Sequence, residues 1–427
     1  MMEIKELYQI FQASAGVNTD TRTLKDNQLF VALKGESFDG NAFALKALEA
    51  GAVAAVVSDT VQEEDPRLVK VPDTLAALQA LAAYHRQQLD IPVIGLTGTN
   101  GKTTTKELLR SVLAAKYRVS ATEGNLNNDI GVPLTVLRIG ADADIAIVEM
   151  GASHPEDLKP LLAVAQPTHG LITNVGKAHL EGFGSFEGVK HAKGLLYDWL
   201  KAHDGLAFFN GDDATLQEML WERELSGVSY GLRDVQVLPS SPEHPYLRME
   251  FPDGLLETHL VGAYNAANVL AALKLGWFFG VPRPDALAAV AAYIPSNNRS
   301  QLVKSARNTV IVDAYNANPS SMKVALDNLS AVEGRKVAML GDMRELGADS
   351  LSEHKKIVMS LAGLETAYLV GEEFEKALQD VTPACPVKTF GSSAQLCDYL
   401  AGHPVQGCTV LLKGSHSVAM EKVLPAL

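Results

Sequence analysis

The segment GLTGTNGKTTTKELL, residues 95–109, limits the folds open to this chain. A short apolar run ends in a glycine turn, and Lys-Thr then opens a helical pattern. Glycines at 98 and 101 let the backbone turn its N–H groups inward. A helix N-terminus adds partial positive charge at the same point. Such a loop forms where a buried strand of an open parallel sheet feeds a helix, and it binds phosphate. Lys102 is placed to reach the β and γ phosphates of a nucleotide, and the Thr103 hydroxyl to ligate Mg²⁺. The common form G-x-x-x-x-G-K-[ST] carries a glycine where this chain has Leu96, so the loop is a shortened one. It departs from the kinase and GTPase pattern.

The rest of the chain is organised around that unit. At 427 residues it exceeds what one core supports, and about three domains are expected. In the first block LFVAL (29–33) and AVAAVV (52–57) read as buried strands, with a helical pattern over 41–50 between them. A helix over TLAALQALAAYHRQQL leads toward Pro92. The second block repeats strand, turn, helix. PVIGLTG precedes a helix from Lys102, IAIVEM (145–150) one opening near Pro155, and HGLITNV (169–175) one over 186–202. GLAFFN (205–210) follows, then short alternating strands over 226–261 that suggest an antiparallel addition, then a long helix, YNAANVLAALKLGWFF. The third block holds four strand-like runs, NTVIVD, RKVAML, TAYLV and CTVLLK, between helical patterns. The expected fold class is therefore α/β in three domains: a small N-terminal α/β domain (1–88), a central doubly wound, mostly parallel sheet with the phosphate loop (89–296), and a C-terminal Rossmann-like α/β domain (297–427).

Formal net charge is −13, so no global basic field attracts nucleic acid or an anionic membrane. An anionic ligand must be held by local N–H groups and a few cations. Cys385, Cys397 and Cys408 are odd in number and lack C-x-x-C spacing, so buried reduced thiols are expected rather than a disulfide framework or a zinc site. The start MMEIKELYQIF lacks an apolar core of the signal-peptide kind, and no run of 18 apolar residues occurs. A cytoplasmic protein without membrane insertion is expected.

A triphosphate site needs a hard cation with oxygen ligands. Glu149 closes the run IAIVEM, at a strand end beside the loop, as either a ligand or a solvated or capping carboxylate. His179, in NVGKAHLEGFGS, follows the next strand and reads either as a ligand or as a structural histidine. Lys193, in HAKGLLYDWL, reads by itself as a surface ammonium. Asn265 and Asn268 lie three apart on one helix face and could simply be exposed polar positions. Asn318 and Pro319 read as an N-cap and a first helical residue.

Taken together, GTNGKTT, GNLNNDIGVPLTVL (124–137), DAYNANPSSM (313–322), GDMRELG (341–347) and KGSHSVAME (413–421) resemble the Mur ligases, with TDTR (19–22) and ALKGESFDG (32–40) resembling their uridine-nucleotide-binding first domain. The resemblance spans essentially the whole chain. It implies ATP-dependent amide-bond formation through an acyl phosphate, joining UDP-MurNAc-tripeptide to D-alanyl-D-alanine in peptidoglycan precursor synthesis.

Position by position, it implies that Gly98, Thr99, Asn100, Gly101, Lys102, Thr103 and Thr104 cradle ATP, and that Thr103, Glu149, His179 and a carbamylated Lys193 hold two Mg²⁺ ions. Asn265 and Asn268 would approach the adenine, Asp313 the ribose, and Arg299 the phosphates, although Arg299 alone reads as a surface charge. Lys102, His179, Lys193 and Arg299 are thus the implied catalytic set. Implied substrate contacts are Thr21, Arg22, Lys34, Gly35, Phe38 and Asp39 in the first domain, Asn125, Asn127 and Asn128 in the central one, and Tyr315, Asn316 and Asn318 in the last. Asn41, Leu195 and His416 depart from the family's usual His, acidic residue and Arg. A monomer is expected. A sister ligase, such as folylpolyglutamate synthase or the Mur ligase adding the third amino acid, is the alternative enzyme. A P-loop switch without ligase chemistry is the alternative from another class.

Overall fold

The computed structural model describes residues 3–35, 37–233, 235–241, 243–295 and 299–427. The expected junction at 296/297 lies outside the described residues. The chain forms three α/β units in succession, each around its own sheet.

The first unit has four parallel strands in the order β1 (Val17–Asn18), β2 (Leu29–Val31), β3 (Ala54–Ser58), β4 (Leu68–Val71). Helices α1 (Ile4–Ala13), α2 (Ala44–Glu49) and α3 (Thr74–Gln87) accompany them. The helix expected over 41–50 begins as a 3₁₀ turn, Gly40–Phe43, because the Asp39 carboxylate accepts from the Asn41 N–H and tightens that turn. Asp73 caps α3 through the Ala76 N–H. The apolar face of α3, Leu78 and Leu81, is fully buried in a core shared with Val132, Leu161 and Leu162 of the central unit. Each such side chain contributes about 1.5–3 kcal/mol. The small first unit is thereby pinned to its neighbour.

The central unit has six parallel strands in the order β10 (Gly227–Tyr230), β9 (Leu206–Asn210), β8 (His169–Ile172), β5 (Val93–Thr97), β7 (Ile145–Glu149), β6 (Val119–Ala121). Period-two alternation sorts the buried strand residues. Ile94 and Leu96 pack with Leu109 and Val269 on one face, while Val93, Val148 and Ile172 pack with Leu162 and Leu196 on the other. Helices α4 (Lys102–Ala114), α5 (Gly131–Leu137), α6 (Leu158–Ala165), α7 (Leu180–Phe183), α8 (Phe186–Ala202) and α9 (Ala214–Trp221) connect the strands. α6 begins at Leu158 rather than near Pro155, because Asp157 accepts from the Ser153 and His154 N–H groups and holds a turn there. The antiparallel addition is a three-stranded sheet, β11 (Gln236–Leu238), β12 (Arg248–Phe251) and β13 (Gly254–Glu257), followed by α10 (Ala266–Phe278) and α11 (Arg283–Ala292). The expectation for 226–261 is corrected at its start: Gly227–Tyr230 pairs parallel with β9 and extends the main sheet.

The last unit has six strands in the order β14 (Gln301–Lys304), β15 (Thr309–Asp313), β19 (Thr409–Lys413), β16 (Lys336–Gly341), β17 (Thr366–Val370), β18 (Val387–Phe390). Only the edge strand β14 is antiparallel. Helices α12 (Pro319–Ala331), α13 (Ser350–Met359), α14 (Glu372–Leu378) and α15 (Ser393–Gly402) lie between the strands. The sequence pattern missed the two edges, β14 and β18. Among the described residues the three cysteines are free, with Cys385 and Cys408 buried and Cys397 only partly so. No helix of the described residues is long and apolar enough to cross a membrane.

Candidate active site

In the central sheet the chain leaves β5 toward β7 and β6 and later returns to β8 on its other side. A crevice opens at such a switch point, beyond the carboxyl ends of the strands. Here it faces the carboxyl ends of β15 and β19, and the two walls enclose a cleft of about 1200 Å³.

The loop at 98–104 forms its floor. Gly98 and Gly101 have φ of +143° and +79°, and Gly101 is the residue before α4. A Cβ at Gly98 would lie 2.0 Å from Thr173 Oγ1, and one at Gly101 would lie 2.7 Å from Asn268 Oδ1. Only glycine fits either position. Leu96 is fully buried in β5, paired with Glu149 and Leu171. The strand thus continues where other phosphate loops begin, which explains the shortened form. The Lys102 ammonium donates to the carbonyls of Gly98 (2.8 Å) and Thr99 (3.2 Å), inside the curl of the loop. Burial lowers its pKa; the Glu149 charge opposes that shift and Arg299 adds to it.

The following loop braces this one. Thr173 Oγ1 and Asn174 Nδ2 donate to the Asn100 carbonyl, and the Asn100 N–H donates to Asn174 Oδ1. From the other wall, Asn318 Nδ2 donates to Asn100 Oδ1 at 2.8 Å, while its own Oδ1 caps α12. Capping and cleft placement coexist at Asn318.

Glu149 is buried, which excludes the solvated alternative. Its Oε1 accepts from Thr103 Oγ1 (3.2 Å) and Asn127 Nδ2 (2.9 Å). Its Oε2 accepts no hydrogen bond among the described residues and lies 3.9 Å from Lys106 Nζ. An orphaned buried carboxylate oxygen beside a threonine hydroxyl suits a hard cation. His179 is held at φ +50° before α7, and its Nδ1 pairs with Glu345 from the last unit. Burial, more than any charge, lowers its pKa, and Glu345 works against the shift. Lys193 is buried, not a surface ammonium. Its Nζ donates to the Ala152 carbonyl at 3.3 Å and sits 5.4 Å from the Phe183 ring centre. Burial, reinforced by the Lys102 charge, pushes its pKa well down. Among the described residues no group of three or more His, Cys, Asp or Glu could hold a metal ion unaided.

Asn265 and Asn268 are also buried rather than exposed. Asn268 donates to Asn265 Oδ1 and accepts from Thr105 on α4, so the pair locks α10 to the phosphate-loop helix. The Arg299 guanidinium stacks 3.7 Å from the Tyr315 ring centre and is half-buried in the cleft wall, not a free surface charge. Asp313 and Lys413 are register partners at the ends of β15 and β19, and they form an ion pair at 2.5 Å. Asn125, Asn128 and Asn316 also line the cleft, with Thr99 and Thr104.

The first-unit residues stand apart. Thr21, Arg22, Lys34, Gly35, Phe38 and Asp39 do not line this cleft. Arg22 is exposed and paired with Asp20, the backbones of Lys34 and Asp39 form an isolated antiparallel bridge, and the Phe38 ring covers Gly35 at 58% exposure. Asn41 ties the same loop to β3 by accepting from the Ser58 N–H.

Four charged residues stand out among those that sequence reasoning missed. Lys106, fully buried, donates to the Thr122 carbonyl at 2.6 Å and pairs with Glu107. Lys106 lies behind the cleft, whereas Arg344, Glu345 and Lys413 line it. For these three the signal was their position within the segments GDMRELG and KGSHSVAME.

Comparison with known proteins assigns the arrangement. Residues 14–86 match the Mur ligase family catalytic domain, 96–276 the Mur ligase middle domain, and 298–416 the Mur ligase glutamate ligase domain. The UDP-N-acetylmuramoyl-tripeptide–D-alanyl-D-alanine ligase of Bacillus subtilis is 36% identical, over 96% of this chain and 93% of that relative. The chain belongs to the Mur ligase family. The ligase of the same description from Escherichia coli is 35% identical over the same shares. Among solved Mur ligases, MurF from Acinetobacter baumannii superposes with a TM-score of 0.85 at 30% identity, covering 98% of this chain and 97% of that one. MurF from Thermotoga maritima in complex with ADP gives 0.84 at 27% identity, covering 100% and 98%.

Proposed function

We propose that the cleft joins the terminal carboxylate of UDP-MurNAc-tripeptide to the amine of D-alanyl-D-alanine, driven by ATP, in peptidoglycan precursor synthesis. One observation carries this reading: a phosphate loop on the central sheet faces a cation-bearing wall of the last sheet across a single cleft, in a chain matching the tripeptide–dipeptide ligases over nearly its full length. The domains are 1–88, 89–296 and 297–427, holding the uridine nucleotide, ATP and the dipeptide respectively. The protein acts as a cytoplasmic monomer without nucleic acid.

A carboxylate is a resonance-stabilised anion and a poor acylating agent. Its oxygen attacks the γ-phosphorus in line, the bond to the β-phosphate oxygen breaks, and ADP leaves with that electron pair. The neutral amine then attacks the acyl carbon, phosphate departs with the electron pair of the acyl C–O bond, and the nitrogen gives up a proton to leave the amide. Two anions must meet in the first step, so Lys102 and Arg299 neutralise and orient the transferring group. Asn265, Asn268 and Asp313 border the nucleoside. Two Mg²⁺ ions, held by Thr103, Glu149, His179 and a carbamylated Lys193, would neutralise further phosphate charge. The orphaned Glu149 oxygen and the pairing of His179 Nδ1 with Glu345, which leaves Nε2 free, support that ligand set. Carbamylation requires a neutral amine, and burial favours that form at Lys193.

Arg344 has no carboxylate partner among the described residues, although it lines the last unit's wall. Lys413 is neutralised by Asp313. Arg344 is therefore the cation for the dipeptide's own carboxylate. Incubation with ATP, UDP-MurNAc-tripeptide and each candidate amine, reading phosphate and peptide product together, tests the function. Product with D-alanyl-D-alanine is expected. Turnover that ignores every amine would favour the switch, and product with a single amino acid would favour a sister ligase.

A further inference from the structure

The loop 173–179 touches two units at once. One side grips the phosphate loop: Gly176 N–H donates to Thr99 Oγ1, beside the Thr173 and Asn174 bonds to Asn100. The other side meets the last unit. Lys177 N–H donates to Ser320 Oγ at 3.0 Å, near the start of α12. Lys177 Nζ bonds Glu353 Oε1 at 3.1 Å; Glu353 is a buried carboxylate on α13 whose Oε1 also accepts from Lys356 Nζ of the same helix at 2.7 Å, so Lys177 brings the contact from the other domain. Two residues after the loop, the Glu181 N–H donates to the Glu345 carbonyl. Gly176 is a point of close approach. A Cβ there would lie 2.9 Å from Ser320 Oγ and 3.5 Å from Thr99 Cγ2, between the two walls.

We infer that Lys177 and Glu353 form a clasp that holds the last domain against the phosphate-loop wall, and that this clasp sets how tightly ATP consumption is coupled to peptide formation. Lys177 and Glu353 are positioning residues, since neither lines the cleft. The inference rests on the proposed ligase reaction. In a loosened cleft, water reaches the acyl phosphate, adds at the acyl carbon, expels phosphate and regenerates the carboxylate. ATP is then consumed without a peptide bond.

The test compares the wild-type pair, Lys177→Glu, which sets two carboxylates face to face, and the reversed pair Lys177→Glu with Glu353→Lys, all in a Lys356→Ala background that removes the other lysine on Glu353. Small-angle scattering reads the radius of gyration. Phosphate released per peptide formed reads coupling, and calorimetry reads ADP affinity. Lys177→Glu should enlarge the radius of gyration, raise the phosphate-to-peptide ratio several-fold above the wild type, and leave ADP affinity within about twofold. The reversed pair should restore both size and ratio. Gly176→Ala, which pushes Ser320 from Thr99 without changing charge, should also raise the ratio. The clasp is overturned if Lys177→Glu keeps the wild-type size and ratio, or if the reversed pair restores neither. A wild type that makes no peptide with D-alanyl-D-alanine overturns the ligase reading instead, and the scattering comparison still reports on the clasp.

Discussion

At the scale of single residues, the proposed chemistry concentrates at Lys102 of the shortened loop. Its ammonium already rests on the Gly98 and Thr99 carbonyls, where a phosphate would compete for it. We expect Lys102→Ala to lower kcat/KM about 10²–10³-fold, the usual effect of removing one preorganised charge-stabilising donor. Chromatographic detection of the pentapeptide product checks this, and an undiminished rate would sink the phosphate-loop mechanism. At the opposite wall, Arg344→Ala should raise KM for D-alanyl-D-alanine about 10–100-fold, as expected for losing a hydrogen bond to a charged group. KM for ATP should not move. The amidated dipeptide is the control, because it lacks the carboxylate and should be handled equally by both proteins. The two residues differ in how the sequence exposes them. Lys102 sits in a contiguous motif whose spacing states its role. The last wall's role emerges only when β15 and β19 pair in register and Asp313 neutralises Lys413. Lys106 is harder still, since its partners Thr122 and Glu149 become neighbours only through the sheet.

At the scale of elements, buried parallel strands such as β5 and β7 were legible because both faces are apolar and each run ends in a turn. The edges β14 and β18 were not. Their residues are only partly buried, so QLVK and VKTF carry little hydrophobic signal. β10 was assigned to the wrong partner, because parallel pairing with β9 depends on a crossover through α9 rather than on local alternation. Helix α3 illustrates an element tied across units. His85 donates from Nε2 to the Ile139 carbonyl at 2.9 Å, and its Nδ1 accepts from the Tyr8 hydroxyl. Burial lowers its pKa, and the Ile139 bond only partly opposes this. The neutral ring is thus the form the fold favours. Its contribution is intact above the ordinary imidazole value of about 6.5 and is lost as pH falls from there through the lower folded value. Thermal midpoints of wild type and His85→Gln should therefore differ most above pH 7 and converge toward pH 5. His169, His179 and His354 are shifted the same way but are common to both proteins, so they cancel in the difference. A gap that widens on acidification would contradict the neutral-ring assignment.

At the scale of the whole molecule, three successive α/β units would divide the proposed reaction among them. The blocks of composition announced that division, but not which surfaces would meet. The central and last sheets share the cleft, whereas the expected nucleotide-sugar residues of the first unit lie outside it. On the proposed reading a long substrate resolves this separation: UDP-MurNAc-tripeptide would be anchored by its nucleotide at one end and react at the other. Binding energy gathered far from the reacting carboxylate then fixes its approach to the phosphate. Lys34 is the useful probe, because its side chain is exposed in the loop beside Phe38 and does not line the cleft, so removing the ammonium leaves the backbone bridge to Asp39 and the central unit's phosphate loop in place. We expect Lys34→Ala to raise KM for UDP-MurNAc-tripeptide about tenfold, while ADP affinity and KM for D-alanyl-D-alanine stay within about twofold, as for sites with no shared partners. Steady-state kinetics with each substrate varied in turn, alongside ADP calorimetry, separates these effects. If KM for all three substrates rose together, the first unit would be supporting the fold of its neighbour through the shared α3 core rather than holding the nucleotide sugar.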